Sequence, residues 1–324
     1  MTRILIDVAP HDAGLARLRS VAGLELVFTP PEAGSGEDAS RPLPASLLAG
    51  TEILFCVYPP TNFSDLTGLK WIQIASAGYN QLYGLPLAAK GIRATNARGC
   101  FDVPIAEWNV AMMINLRRNL RQMIRNQDRS VWDRAADFQQ EVRGMTVGIW
   151  GYGGIGRETA RLAKALGMEV LVMSRAGIGP LEHPVYVLPG TGDPEGVLPD
   201  GVFLSGQEEA FLSELDFLVL SMPLMKSTEG IIGARELKAL PSSAFVLNPA
   251  RGPLIDEAAL LQALGEGWIA GAAIDTHYSY PLPAEHPLWR LPNVILTPHI
   301  SGSSLSERLP ERLWDIFNLN VRRY

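Results

Sequence analysis

The chain has 324 residues, 47% hydrophobic and 19% charged, which is enough apolar material for about two domains without help from disulfides or metals. Its 34 acidic residues outnumber 28 basic ones for a net charge of -6, and no Lys/Arg block interrupts that balance, so nucleic acids and anionic membrane surfaces are excluded as electrostatic partners. No apolar run approaches the ~20 residues that cross a bilayer, and Cys56 and Cys100 form no CxxC pair, which leaves no disulfide framework or cysteine zinc site and suits a reducing cytoplasm.

In chain order, short apolar runs alternate with helical patterns, the signature of an α/β fold with parallel sheets. The N-terminal MTRILIDVAPHD has Asp7 inside its only apolar stretch and reads as a strand, not as a secretory leader. Strands are expected at 4–8, 24–28, 52–57 and 71–75, with helices over Ala13–Val21 and Ala45–Ala49. Thr29–Pro44, rich in Pro, Gly, Ser and Glu, reads as a loop. One long helix is expected from Val103 to about Arg125, apolar first and arginine-rich later. A second block then supplies near-continuous hydrophobic strands at 146–150, 169–173, 216–221, 244–248, 271–275 and 293–297, as buried parallel strands require. The Gly- and Pro-heavy Ala176–Leu198 reads as a loop or insertion.

The strongest local signal is Gly151-Tyr152-Gly153-Gly154-Ile155-Gly156, directly after strand 146–150. A glycine-rich turn between a strand and a helix lets the backbone approach a pyrophosphate, and the helix N-terminus offers it free N–H groups and a partial positive charge. The helix it opens should bury Ile155, Thr159, Leu162, Ala163 and Leu166. An acidic residue at the end of the next strand would hold the ribose 2′-OH of NAD. Here Ser174-Arg175 follows Met173, a pair able to bind a 2′-phosphate, so NADP(H) is favoured and NAD(H) left open.

The segment 247–302, together with SAGYN (76–80), NARGCFDVPIAEW (96–108), SMPLMKST (221–228), NPARG (248–252) and TPHISG (297–302), resembles the D-isomer-specific 2-hydroxyacid dehydrogenase family, which includes glyoxylate/hydroxypyruvate reductases. The resemblance implies two doubly wound parallel-sheet domains: a flavodoxin-like substrate domain, residues 1–98 plus 297–324, and a Rossmann NAD(P)-binding domain, residues 99–296. It implies reversible hydride transfer between a nicotinamide cofactor and a small 2-keto or 2-hydroxy acid. By the same resemblance, the backbone of Ala77 and Gly78 binds the substrate carboxylate, Arg251 polarises the keto oxygen and His299 is the proton donor. Pro223, Thr228, Asn248, Ala250 and Asp275 fall with the cofactor. A homodimer is also implied, and the apolar face of Val110, Met112, Met113 and Leu116 suits either that or burial within the chain. His11, His183, His277 and His286 lack metal-ligand spacing, so no metal is expected, although His277 falls near the substrate by sequence.

One position departs from the family pattern. The glutamate that precedes Pro-Leu-Pro in the family is Tyr280 here, before Pro281-Leu282-Pro283. A carboxylate beside an imidazole raises its pKa and fixes its tautomer, whereas a phenol accepts a hydrogen bond and adds little charge. Tyr280 therefore takes the third catalytic place, with a weakened, acid-shifted His299 as the expectation. Glu285 reaching His299 instead is one alternative. A catalytically impaired NAD(P)-binding regulatory protein is another, and an enzyme acting on a non-keto substrate such as formate a third.

Overall fold

The computed structural model describes residues 1–30, 40–135, 139–181, 185–302 and 308–324. His183 and most of the expected 29–44 loop lie outside the described residues. The chain divides into two compact units, Met1–Cys100 with Leu305–Tyr324, and Phe101–Ser304.

The first unit runs β1 (Thr2–Asp7), α1 (Asp12–Arg19), β2 (Leu24–Phe28), α2 (Ala45–Leu48), β3 (Ile53–Cys56), β4 (Trp71–Ile74) and β5 (Arg93–Thr95), and is completed by the C-terminal helix Arg308–Arg323. Its sheet is parallel in the order β2-β1-β3-β4-β5, the flavodoxin-like doubly wound order. Successive strand side chains point to opposite faces. Ile4, Ile6, Ile53 and Phe55 thus pack with Trp314 and Phe317 of the C-terminal helix, while Leu5, Leu54, Cys56 and Ile72 pack on the other side.

The second unit runs α3 (Asp102–Arg117), α4 (Leu120–Asp128), β6 (Thr146–Trp150), α5 (Gly154–Ala165), β7 (Glu169–Ser174), β8 (Gly201–Leu204), α6 (Glu208–Leu212), β9 (Phe217–Leu220), α7 (Ala234–Ala239), β10 (Phe245–Asn248), α8 (Glu257–Glu266), β11 (Gly271–Ile274) and β12 (Val294–Leu296). The sheet order β8-β7-β6-β9-β10-β11-β12 reverses direction between β6 and β9, the switch point of a Rossmann sheet. Alternation again makes two cores, Val147, Ile149, Val172 and Val219 on one face and Trp150, Met173, Leu218 and Leu220 on the other.

The register decides where the site falls. Trp150 pairs with Met173 and with Leu220, Asn248 with Ile274, and Ile274 with Leu296. The strand ends are therefore level, and the segments after them leave from one edge of one sheet.

The expected long helix is two helices. Asn119 sits in the left-handed region (φ 44°) between α3 and α4, a conformation that Asn tolerates better than most residues. Met113 of α3 is fully buried, and Val110, Met112 and Leu116 pack on the same core, so that face serves the chain's own interior. The α5 stripe is also wider than its apolar pattern: Thr159 and Ala163 are buried and Ile155, Leu162 and Leu166 half-buried, but Arg157 and Glu158 are buried as well. Replacing Asn119 with Val is expected to cost about 1–2 kcal/mol, while Asn119→Gly should hold or raise the urea midpoint; equal losses would show that the Asn side chain, not its backbone angle, matters.

Candidate active site

The glycine loop follows β6 at the switch point. Gly151 has φ 99°, and a Cβ there would stand 2.9 Å from the Met222 amide nitrogen. A Cβ on Gly156 would stand 2.4 Å from the Gly151 carbonyl oxygen, so only glycine lets α5 start this close to the strand. Gly153 is the N-cap of α5, and no side chain caps it. The Asp102 carboxylate packs against Gly154 in the first turn, and the glycine-rich passage from strand to helix N-terminus fits a dinucleotide's pyrophosphate.

The loop's other residues are tied back to the unit. The Tyr152 hydroxyl donates to Asp193 Oδ2 at 2.7 Å, and its ring lies 4.9 Å from the Arg157 guanidinium carbon. Burial raises the Tyr152 phenol well above the ordinary tyrosine value, and the bond to Asp193 adds to that. Burial opposes ionisation of Asp193 too, but bonds from Tyr152 and from the Leu198 and Val197 amides prevail and hold its carboxyl below the usual range. Arg157 donates to the carbonyls of Asp193 and, at 2.7 Å, of Gly179. Glu158 accepts from Gly192 N–H and pairs with Arg161 through two bonds of 2.7 and 2.8 Å. Two buried charged residues of α5 therefore pin the Gly- and Pro-rich loop after β7. Periodicity did not single out either of them, because it assigns only apolar residues to a buried face.

At the end of β7 the Ser174 hydroxyl donates to the Gly177 carbonyl at 2.7 Å, and Arg175 is exposed. After β9, Pro223 is exposed, and its carbonyl accepts from the Thr228 hydroxyl, which also accepts from the Met225 amide. Thr228 thus closes the 223–228 turn.

After β10, the Asn248 side chain accepts from the amides of Ala250 (3.1 Å) and Arg251 (3.2 Å) and donates to the Arg251 carbonyl (2.8 Å). These three bonds fix the backbone that carries Arg251. One guanidinium N–H of Arg251 donates to the Ala250 carbonyl at 2.6 Å, and the others find no acceptor among the described residues. Gly252 lies against the His277 carbonyl, where a Cβ would come within 2.6 Å, which brings Arg251 beside the His277–Tyr280 segment.

Asp275, at the end of β11, has no exposed surface. Its Oδ1 accepts from the Thr297 hydroxyl at 2.5 Å and the Ile300 amide at 2.9 Å, and Oδ2 accepts from the Ser301 amide at 3.0 Å. Its carbonyl accepts the His299 N–H at 2.7 Å. His277 is 5% exposed, with Nε2 2.9 Å from the Thr297 carbonyl. Within this frame His299 takes φ 59°, a left-handed conformation that costs a non-glycine residue about 1–3 kcal/mol when the surroundings impose it. Tyr280 accepts from the His277 amide at 3.1 Å, and its ring centroid lies 5.4 Å from that of His299. Burial raises its phenol, with the His277 amide and Arg251 opposing. Glu285 is exposed and makes no hydrogen bond or ion pair among the described residues, so it does not stand in for the family's glutamate.

Arg251, Asp275, Tyr280 and His299 are thus together in the second unit. Ala77 and Gly78 belong to the first, in the turn after β4. There the Ala77 carbonyl accepts from Asn96 at 2.6 Å and the Gly78 carbonyl from Ser76 at 2.8 Å, and the two N–H groups find no acceptor among the described residues.

Asp275→Ala takes the acceptor from the buried Ser301 amide, the part-buried Ile300 amide and the Thr297 hydroxyl, at about 1–3 kcal/mol for a group that stays cut off from water. A fall of about 2–4 kcal/mol in urea unfolding is expected. A change under about 0.5 kcal/mol, the range of ordinary surface substitutions, would mean that the turn stands without the carboxylate.

The D-isomer specific 2-hydroxyacid dehydrogenase NAD-binding domain matches residues 110–188 and 193–301, more than half of the chain. A glyoxylate reductase of Thermofilum pendens is 31% identical over 245 residues, 74% of this chain and 68% of its own. A glycerate dehydrogenase of Methylorubrum extorquens is 32% identical over 268 residues, 79% and 78%. The crystal structure of a D-isomer specific 2-hydroxyacid dehydrogenase family protein from Aeromonas salmonicida superposes with a TM-score of 0.78 at 25% identity, over 99% of this chain and 95% of that one. The chain belongs to the D-isomer-specific 2-hydroxyacid dehydrogenase family and is an NAD(P)-dependent oxidoreductase of that class.

Proposed function

We propose that the protein reduces a small 2-keto acid with NADPH to the D-2-hydroxy acid, glyoxylate and hydroxypyruvate being the leading substrates. The observation that supports this reading best is the grouping of Arg251, with guanidinium donors to spare, and His299, on its braced turn, at the level edge of the sheet that also bears the glycine loop.

In this reading the first unit is the substrate-binding domain and the second the dinucleotide-binding domain. The nicotinamide supplies the hydride that adds to C2 of the keto acid. Gly151–Gly156 and the first turn of α5 hold the pyrophosphate, Arg175 meets the 2′-phosphate, and Pro223, Thr228, Asn248, Ala250 and Asp275 shape the nicotinamide end. The amides of Ala77 and Gly78 bind the substrate carboxylate. Arg251 polarises the keto oxygen, worth about 10²–10³ in kcat for such a donor, and His299 delivers a proton to that oxygen as the hydride arrives. Reduction consumes one proton, so the active form carries His299 protonated, and the rate rises as pH falls toward the imidazole's pKa. The buried thiols Cys56 and Cys100 suit a cytoplasmic setting. A homodimer is part of the same reading, and Ile124, Val131 and Trp132, the last 88% exposed, are among the exposed apolar residues available to it.

The relatives named for glyoxylate reduction support the substrate class. A structural neighbour described as an NADPH-dependent glyoxylate/hydroxypyruvate reductase from Sinorhizobium meliloti, 24% identical with a TM-score of 0.73 over 99% of this chain and 95% of that one, shares the fold. The deciding assay follows NADPH and NADH oxidation with glyoxylate, hydroxypyruvate and pyruvate from mildly acidic to neutral pH. Turnover with NADPH that rises toward acid is expected, as is a loss of about 10²–10³ in kcat for Arg251→Gln. Arg175→Ala should raise KM for NADPH about tenfold, some 1.4 kcal/mol, and leave that for NADH nearly unchanged. Tight NADPH binding without turnover at any pH would replace the enzyme reading with a regulatory one.

A further inference from the structure

Tyr280 stands where the family pattern has a carboxylate, and its contacts show which part of it meets His299. The phenol oxygen is engaged by the His277 backbone N–H at 3.1 Å. What lies toward His299 is the ring: the two centroids are 5.4 Å apart and the planes are inclined at 48°. The electron-rich face of an aromatic ring attracts a cation within about 6 Å of its centroid, and His299 at this distance is such a cation whenever it is protonated. The neutral imidazole gains no comparable attraction. The contact therefore favours one protonation state over the other, which is what the missing carboxylate did by charge.

We propose that Tyr280 supports protonated His299 through its aromatic ring, a cation–π contact taking over from the family's glutamate. Tyr280 is then a positioning and electrostatic residue that acts through His299. This rests on the reading of His299 as proton donor and specifies how that donor is kept charged.

The other groups around the pair are fixed in kind. Arg251 acts electrostatically on the Tyr280 hydroxyl and opposes a second positive charge nearby, whereas the Asp275 charge favours one. Asp275 is held in the 297–301 turn, and His277 is anchored on the Thr297 carbonyl. The His277 amide's bond to the phenol oxygen is lost in both Tyr280→Phe and Tyr280→Leu, so the difference between those two variants isolates the ring.

The measurement is an NMR titration of the His299 imidazole in the cofactor-free protein, with His299→Gln to assign the signal and circular dichroism to establish folding. Tyr280→Phe keeps the ring and is expected to keep the midpoint. Tyr280→Leu removes the ring and should lower the midpoint by about half a pH unit, the equivalent of ~0.7 kcal/mol; Tyr280→Met serves if the Leu variant does not fold. Tyr280→Glu restores the carboxylate and should raise the midpoint by about one unit. The proposal fails if Leu leaves the midpoint in place, or if Phe lowers it as far as Leu does, since the hydroxyl would then be the active group. The titration needs neither substrate nor turnover. An inactive protein with the expected titration pattern would sink the reductase reading alone, and an active one with a flat Tyr280→Leu titration would sink only the role of the ring.

Discussion

Asp275 is a carboxylate with no exposed surface whose two oxygens take three hydrogen bonds from a single turn, from Thr297, Ile300 and Ser301. A buried carboxylate without partners is expensive, so the turn and the aspartate require each other. The turn satisfies the charge, and the charge holds the turn in a shape that forces His299 to positive φ. The Thr297 carbonyl adds a second brace by receiving both the His277 imidazole and the His299 amide. The backbone that carries the histidine resembling the family's proton donor is therefore placed by these bonds. Residue 280 takes no part in these bonds, so the turn does not depend on whether that residue is glutamate or tyrosine.

Much of this was readable from the residues. Strands buried on both faces announce themselves as apolar runs, and β3, β9 and β11, each buried throughout, fall where those runs lie. The strands that escaped notice are β5 (Arg93–Thr95) and β8 (Gly201–Leu204), the edge strands of their sheets. Each leaves part of its length exposed, so neither needs a hydrophobic run to pair. The helix break at Asn119 was hidden for a related reason: apolar and basic residues continue across it, and only a backbone angle marks the boundary.

The site divides along the same line. The glycine loop, Arg251 and His299 are legible because their chemistry demands particular residue types at particular strand ends. Arg157 and Glu158 were not legible. Both are buried charges whose partners are mainly backbone groups of a loop some twenty to thirty-five residues away, and no local pattern encodes such partners. Asp275 was recognised as a site residue, but its bonds to the 297–301 turn depend on β11 and β12 being neighbours with Ile274 level with Leu296, a fact of register.

The same logic bears on the cofactor. The Ser174-Arg175 pair was read as two groups for a 2′-phosphate, yet the Ser174 hydroxyl donates its hydrogen bond to the Gly177 carbonyl. A hydroxyl so engaged presents lone pairs, and lone pairs repel a phosphate. The proposed preference for NADPH then rests on Arg175, an exposed guanidinium next to a turn that Ser174 shapes. Exposure weakens a single ionic contact through solvent and salt. A held neighbourhood reduces the entropy lost in making it, and Arg157, Glu158 and Tyr152 bond to Gly179, Gly192 and Asp193 of the segment after β7. In that proposal, discrimination between the two dinucleotides rests on one charge beside a loop that α5 holds at Gly179, Gly192 and Asp193.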